Sequence, residues 1–520
     1  MAHVELIKTV QSTFSLFGLV LNRNLAASLV KQLVNIAENE RDDWITQIAE
    51  RILEQNLPDP HVEIKHIKLA LEECVKPDSL KDTETVLNAV NAFDIPKIKY
   101  DISKNKFVMS KVQTDLYSDA INKTHVFRDR LDLLWYRTKR HEFFAAPKFG
   151  ETKDNKFDLV PIEYLLSEAQ TEDVCIMGIV AQFTDNQYYL EDSGGNVKLD
   201  LKKANFQNGL VMEGSIVIAN GFYEDKIFKV QDVFFPPAEK SENSRVDFGN
   251  LNTFGGPSPV LLKTSEKLDA YEKSSQDMIV FISELWLDNA TVLSKFKTML
   301  DGYSDFPPVA FVICGNFLSF PLSVTSVSKA KEGFKKLADI IMQYTNIYSS
   351  SKFIFVPGPY DLGSPKILPR APLPKFITED FSSSIPGSIF ASNPCRIQYC
   401  TKEIVVLRED MLTKMCRNTI NFPDEGLICD HFARSIISQS HLTPLSLPVI
   451  PIYWKHDHAL QIYPTPDLIV VADQFEAYTT KYTGCYVINP GMFPKNNFAF
   501  KAYVPSSETI EDCEIPAEIT

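Results

Sequence analysis

Four short apolar runs, each broken off by glycine, proline or a carboxylate, constrain the C-terminal half of this chain more tightly than any other feature. Residues 278–283 (MIVFIS) run into Glu284, residues 310–314 (AFVIC) into Gly315, residues 352–356 (KFIFV) into Pro357 and Gly358, and residues 468–472 (LIVVA) into Asp473. Apolar runs of this length with such boundaries read as buried strands. Helical stretches such as residues 330–342 alternate with them, which argues for α/β layers.

The residues just after each run bear on chemistry. A binuclear metallophosphoesterase holds two metal ions about 3.5–4 Å apart, and it gathers carboxylate, imidazole and amide ligands in short motifs at successive strand ends. Asp-x-His should come after the first strand, but Glu284-Leu285-Trp286 stands there; glutamate can bind a metal and an indole cannot. Gly-Asp-x-x-Asp is replaced by Gly315-Asn316-Phe317-Leu318-Ser319, without either carboxylate. Gly-Asn-His-Asp has become Gly358-Pro359-Tyr360-Asp361, in which proline and tyrosine replace the amide and the imidazole and Asp361 is the one ligand that survives. At the Gly-His-x-His position the chain reads Asp473-Gln474-Phe475, with neither histidine.

Nearby imidazoles offer no substitute, because none of the nine histidines lies between His141 and His431. His441 falls where an isolated ligand histidine of such a fold could stand, yet one imidazole cannot hold two metals, and a hydrogen-bonded structural role is the expected one. His456-Asp457-His458 has the alternate spacing that puts two ligands on one face of a strand, a weak pattern taken alone. The expectation is therefore no catalytic residues, no metal and no cofactor. The alternative is a phosphoesterase with a remodelled site built from Glu284, Asp361, His441 and Asp473. Other catalytic schemes find no home: Gly-x-x-x-x-Gly-Lys, Gly-x-Ser-x-Gly, Gly-x-Gly-x-x-Gly and His-Glu-x-x-His are all absent.

At 520 residues the chain should hold two to four domains. The nine cysteines form no Cys-x-x-Cys pair, which suits free thiols in a reducing compartment and no zinc site. Neither a secretory signal nor a membrane span is expected, so the sequons at Asn122 and Asn289 read as chance matches. A net charge of −14 would repel nucleic acid overall. The best local exception is Arg128, Arg130, Arg137, Lys139, Arg140 and His141, interleaved with Phe127, Leu131, Leu134 and Trp135 at helical spacing. That pattern reads as an amphipathic helix with a solvated basic face rather than as a DNA contact.

Residues 1–75 read as a small helical domain with apolar faces at Leu25, Leu29, Leu33 and Ile36, at Trp44, Ile48 and Ile52, and at Ile64, Ile67 and Leu71. Asn22 and Asn24 are candidate N-caps. Residues 76–140 read as a connector, with a helix near 81–92 and a hairpin through Ile98, Tyr100 and Ile102 that turns at residues 103–106 and returns through Phe107. Residues 141–240 contain short alternating strands that suggest an OB-fold barrel. Its region 171–235 carries five Lys or Arg against ten Asp or Glu, so Phe183, Tyr188, Tyr189, Phe222 and Tyr223 read as core and protein-interface residues more than as base-stacking platforms. Residues 238–260 look like a polar linker or surface loop, and residues 250–520 form the α/β domain. Six prolines and two glycines between Pro357 and Pro374 mark an irregular loop over the place where metals would sit.

With this strand order and these degenerate motifs, the C-terminal half resembles the inactivated, calcineurin-like phosphoesterase domain of the B subunits of eukaryotic replicative DNA polymerases. Segments 393–400 (NPCRIQYC), 415–418 (MCRN), 439–445 (QSHLTPL), 488–491 (INPG), 91–96 (NAFDIP) and 137–142 (RTKRHE) are similar to the epsilon branch of that family, with the alpha and delta branches as near alternatives. The resemblance implies a multidomain α+β protein: an N-terminal helical domain like an AAA+ lid, an OB-fold barrel and an inactive phosphoesterase domain. It implies vestigial rather than catalytic positions at Glu284, Trp286, Asn316, Ser319, Pro359, Tyr360, Asp361, His441, Asp473 and Phe475. The implied function is that of a non-catalytic scaffold in DNA replication, in the nucleus. The implied partners are the C-terminal, zinc-containing region of the polymerase epsilon catalytic subunit, the replicative helicase assembly through the N-terminal domain, and small histone-fold subunits of the same complex. DNA contact would be at most indirect or weak, and membrane contact none.

Overall fold

A computed structural model describes residues 2–33, 41–55, 57, 59–74, 86–101, 103–104, 106–110, 115–145, 157–249, 251–258, 261–320, 325–363 and 366–515. Four helices, Ala2–Leu16, Arg23–Leu33, Arg41–Glu54 and Ile64–Cys74, make the N-terminal unit. Its core is drawn from its own residues, among them Phe14, Leu29, Ile48, Ile52 and Ile67. Asn22 caps the second helix, its side chain accepting the Asn24 N–H at 3.1 Å, while Asn24 lies inside that helix. Ile64 is exposed at the start of the fourth helix, so it belongs to no buried face. Ile36, Ile102 and Asn105 lie outside the described residues.

The helix expected near 81–92 is instead a strand, Leu87–Asn91, followed by a 3-10 turn, Ala92–Asp94; residues 81–85 lie outside the described set. The strand pairs antiparallel with Cys395–Tyr399, about three hundred positions away. Such a distant partner overrides weak local helical preference. The hairpin is present, Ile98–Asp101 against Lys106–Met109.

The barrel closes. Strands Gln170–Thr184, Gln187–Glu191, Asn196–Asp200, Ile227–Phe234 and Ile216–Glu224 pair in that order, and the last pairs back to the first, which leaves these five without a free edge. Ile176, Leu190, Val197, Val217, Phe228 and Val230 fill it. Tyr223 is in the core, whereas Phe183 is exposed and rests against Tyr189 at 4.8 Å between ring centroids.

The C-terminal half is two six-stranded sheets packed face to face. One runs Ser388–Phe390, Lys352–Val356, Ala310–Cys314, Ile279–Ser283, Phe500–Val504, Thr509–Cys513; the other runs Leu87–Asn91, Cys395–Tyr399, Lys402–Arg408, Leu468–Ala472, Cys485–Asn489, Tyr478–Tyr482. Alternation along each strand builds three layers of core. Phe281, Val312 and Ile354 of the first sheet meet Ile397, Val406 and Val470 of the second. Val280, Phe311 and Phe353 turn outward to helices Ala290–Gly302, Ser326–Ile341 and Lys375–Ser384, and Val405, Leu407, Ile469 and Val471 turn outward to helices Met411–Asn418 and Ile428–Ser438.

Two sequence expectations fail for one physical reason, the burial of polar groups between domains. The supposed linker buries Ser244, Arg245, Phe248, Asn252, Thr253 and Phe254, and Arg245 forms a bidentate ion pair with the buried Glu403. The basic face of helix Ile121–Arg140 is also partly internal, with Arg130 and Arg137 buried and Lys139 left exposed. Arg128 stays exposed.

Candidate functional site

All four motif positions lie at one edge of the paired sheets, at the carboxyl ends of the Ile279–Ser283, Ala310–Cys314, Lys352–Val356 and Leu468–Ala472 strands. In open α/β sheets this is the edge where ligands bind. A fifth strand, Lys402–Arg408, ends at the same edge and delivers a residue that no motif marks. Arg408 is fully buried.

Its guanidinium fills the position. Nε donates to the Gly315 carbonyl at 2.5 Å, and one terminal nitrogen donates to Asp410 at 2.9 Å and to the Ala472 carbonyl at 3.1 Å. The other donates to Glu284 Oε1. Every guanidinium nitrogen thus points at an oxygen fixed near a strand end. Burial alone would weaken the charge, but Asp410 and Glu284 raise the Arg408 pKa above its ordinary value. A permanent cation therefore stands among the carboxylates.

Glu284 turns into this cluster through a left-handed backbone, φ 63°, a conformation that costs a non-glycine residue roughly 1–2 kcal/mol. Its second oxygen accepts the Trp286 indole N–H at 2.8 Å, and its first also accepts the Asn316 amide at 2.8 Å. Asn316 in turn accepts the Tyr360 N–H at 2.9 Å. The substituted residues thus bond to one another.

Asp361 accepts the N–H groups of Phe317 and Gly358 at 2.8 and 2.7 Å. Burial pushes its carboxyl up to about 7, against those two hydrogen bonds. Gly315 is indispensable to this arrangement, since a Cβ there would lie 1.9 Å from the Asp361 carboxylate. Pro359 is buried behind it and Tyr360 is 44% exposed. Asp473 accepts the N–H groups of Leu412 and Phe475 at 2.8 and 2.9 Å, and burial raises its pKa. Ser319 is peripheral and caps onto Asp288.

His441 belongs to a different network. Helix Ile428–Ser438 ends in a Schellman turn, with the Ser440 N–H on the Ile437 carbonyl and the His441 N–H on that of Ile436. The imidazole accepts the Thr443 N–H at 3.1 Å through Nδ1 and faces Asp457 at 3.2 Å through Nε2. Asp457 is also held by Arg130 at 2.5 and 3.2 Å. His456-Asp457-His458 form a 3-10 turn, not a strand. His458 bonds the Ile95 carbonyl at 3.1 Å, and His456 meets the edge of Phe93. Of the four residues a remodelled metal site would need, Glu284, Asp361 and Asp473 surround Arg408, and His441 pairs elsewhere. Among the described residues no group of three or more His, Cys, Asp or Glu could hold a metal. The donor set does not fit a metal pair, because its centre is a guanidinium.

Arg137 completes the junction. From helix Ile121–Arg140 it donates to the Ser438 and Ile437 carbonyls and the Ser440 hydroxyl of the C-terminal half, and to the Pro236 carbonyl below the barrel. Sequence periodicity found this helix but could not reveal that Arg137 caps a helix three hundred residues on.

Comparison with known proteins assigns these parts. The family of the B subunit of DNA polymerases alpha and epsilon matches residues 279–480, "DNA polymerase epsilon subunit 2-like, OB-fold domain" matches residues 120–237, and "DNA polymerases epsilon N terminal" matches residues 2–74. The chain is 43% identical to DNA polymerase epsilon subunit 2 of Homo sapiens and 36% identical to that of Drosophila melanogaster, in both cases over 99% of each chain. It is 35% identical to the DNA polymerase epsilon B subunit of Arabidopsis thaliana over 84% of each. An archaeal phosphodiesterase structure superposes on 46% of this chain and 99% of its own at 11% identity and a TM-score of 0.26, too slight a likeness to argue from. From relatives that match along its whole length, the chain belongs to the family of DNA polymerase epsilon subunit 2, the B subunit of that polymerase.

Proposed function

We propose that this chain is a non-catalytic subunit of a polymerase epsilon complex, acting by shape and binding in DNA replication in the nucleus. Residue by residue, Glu284, Trp286, Asn316, Ser319, Pro359, Tyr360, Asp361, His441, Asp473 and Phe475 are then vestiges of a phosphoesterase site. One observation carries the reading: Arg408, hydrogen-bonded through all its guanidinium nitrogens, occupies the centre of the strand-end cluster. A fixed guanidinium there leaves no room for a metal-activated water.

The barrel and the C-terminal domain then serve as one pre-formed surface for the C-terminal, zinc-containing region of the polymerase catalytic subunit. Buried contacts of Arg130, Arg137 and Arg245 between them support this use, because a surface ordered in advance lowers the cost of association. The N-terminal four-helix unit, with its separate core, is the AAA+ lid-like module that reaches the replicative helicase assembly, and the small histone-fold subunits join the same complex. Size-exclusion chromatography with the catalytic subunit's C-terminal region tests the scaffold reading. Co-elution as a stoichiometric complex is expected; separate elution of two folded proteins would contradict it.

A further inference from the structure

Exposed lysines are unevenly spread over this acidic chain. Residues 325–384 carry eight Lys or Arg against five Asp or Glu, in a chain of net charge −14. Several of them border a shallow groove next to the Arg408 cluster, lined by Leu318, Ala330, Tyr360, Leu362, Leu373 and Ile377. Helix periodicity explains the placement. Ser326–Ile341 buries Ala330, Phe334, Leu337 and Ile341, which leaves Lys329 and Lys331 to either side of Ala330. The facing helix Lys375–Ser384 buries Ile377 and exposes Lys375 and Phe376.

Each of three lysines lies over an aromatic ring. Lys366 is 4.1 Å from the Tyr360 centroid, Lys329 is 4.5 Å from Phe320, and Lys331 is 5.9 Å from Phe376. Tyr360 is 44% and Phe376 55% exposed. Among the described residues, the side chains of Lys331, Lys366 and Lys375 form no ion pair within 4 Å, and Lys329 has only the longer-range attraction of Glu332 on its own helix. Cations not held in close ion pairs, beside half-exposed rings, supply both elements that a single strand needs, charge for phosphates and platforms for bases. An acidic peptide would use the charge alone.

We propose that this groove binds single-stranded nucleic acid, with Lys329, Lys331, Lys366 and Lys375 on the phosphates and Tyr360 and Phe376 under the bases. The two surfaces that composition first offers for such a ligand suit it less well. The basic helix Ile121–Arg140 spends Arg130 and Arg137 inside the molecule, and barrel region 171–235 has ten acids against five bases. Binding of this kind is independent of the chain's protein partners.

Fluorescence anisotropy of a labelled oligothymidylate of about 16 nucleotides, titrated with the 520-residue chain, tests it. Four phosphate contacts predict saturable binding that weakens about 50-fold between about 50 and about 200 mM salt. Lys329→Glu/Lys331→Glu/Lys366→Glu should weaken binding at least about tenfold, and Tyr360→Ala/Phe376→Ala by at least about tenfold through lost stacking. Lys202→Glu/Lys203→Glu on the barrel should change nothing. If the charge-reversed protein melts early, Lys329→Gln/Lys331→Gln/Lys366→Gln gives the same reading. The proposal is overturned by absence of saturable binding at low salt, by binding indifferent to the groove variants, or by poly-glutamate displacing the probe as well as unlabelled oligonucleotide does.

Discussion

Arg408 and Glu284 form a buried ion pair whose removal from one side only should be costly. Arg408→Met leaves Glu284 and Asp410 without their cation and should lower stability by about 3–5 kcal/mol. Adding Glu284→Leu removes the stranded charge, so the double variant should lie closer to wild type than the single one; urea denaturation of all three checks this. His458 makes a pH prediction. Burial and the nearby Lys97 push its pKa down from 6.5 to about 4, so the fold holds it neutral. Below pH 6.5 the unfolded chain takes up a proton that the native chain refuses, and this contribution to stability is lost as pH falls from about 6.5 toward 4. The stability advantage of wild type over His458→Gln should therefore shrink across that window. Denaturant midpoints at several pH values measure it, and an advantage that stays constant contradicts the assignment.

Among the elements, helix Ile121–Arg140 decides whether barrel and C-terminal domain behave as one body. Arg137→Met would leave the buried Ser438 and Pro236 carbonyls without their Arg137 donor, while the Ile437 carbonyl keeps the Ser440 N–H, a loss of about 1–3 kcal/mol for each group left bare. Limited proteolysis should then cut between the domains faster than in wild type. How much of this was legible in sequence divides by distance along the chain. The helix was legible from Phe127, Leu131, Leu134 and Trp135, and the four strand ends from their apolar runs, because those signals are local. Arg408, the partners of Arg130 and Arg137, and strand Leu87–Asn91 were not, because each is fixed by a contact remote in sequence. Burial of Arg245 against Glu403 was hidden for the same reason, and a polar, turn-rich composition pointed to solvent instead.

For the whole molecule, core distribution predicts how it unfolds. The N-terminal helices share a core of their own, while helix Ile121–Arg140, the barrel and both sheets interlock through buried side chains. Calorimetry should resolve a small N-terminal transition from one cooperative transition for the rest, and Arg137→Met should split the larger one. In the proposed reading, the Arg408 guanidinium stands where a metal pair would have to sit. Isothermal titration of Mn²⁺ into the chain, with phosphodiester turnover followed in the same sample, tests it most directly. No stoichiometric binding and no turnover are expected; two bound equivalents together with hydrolysis abolished by Asp361→Ala would overturn the proposed reading.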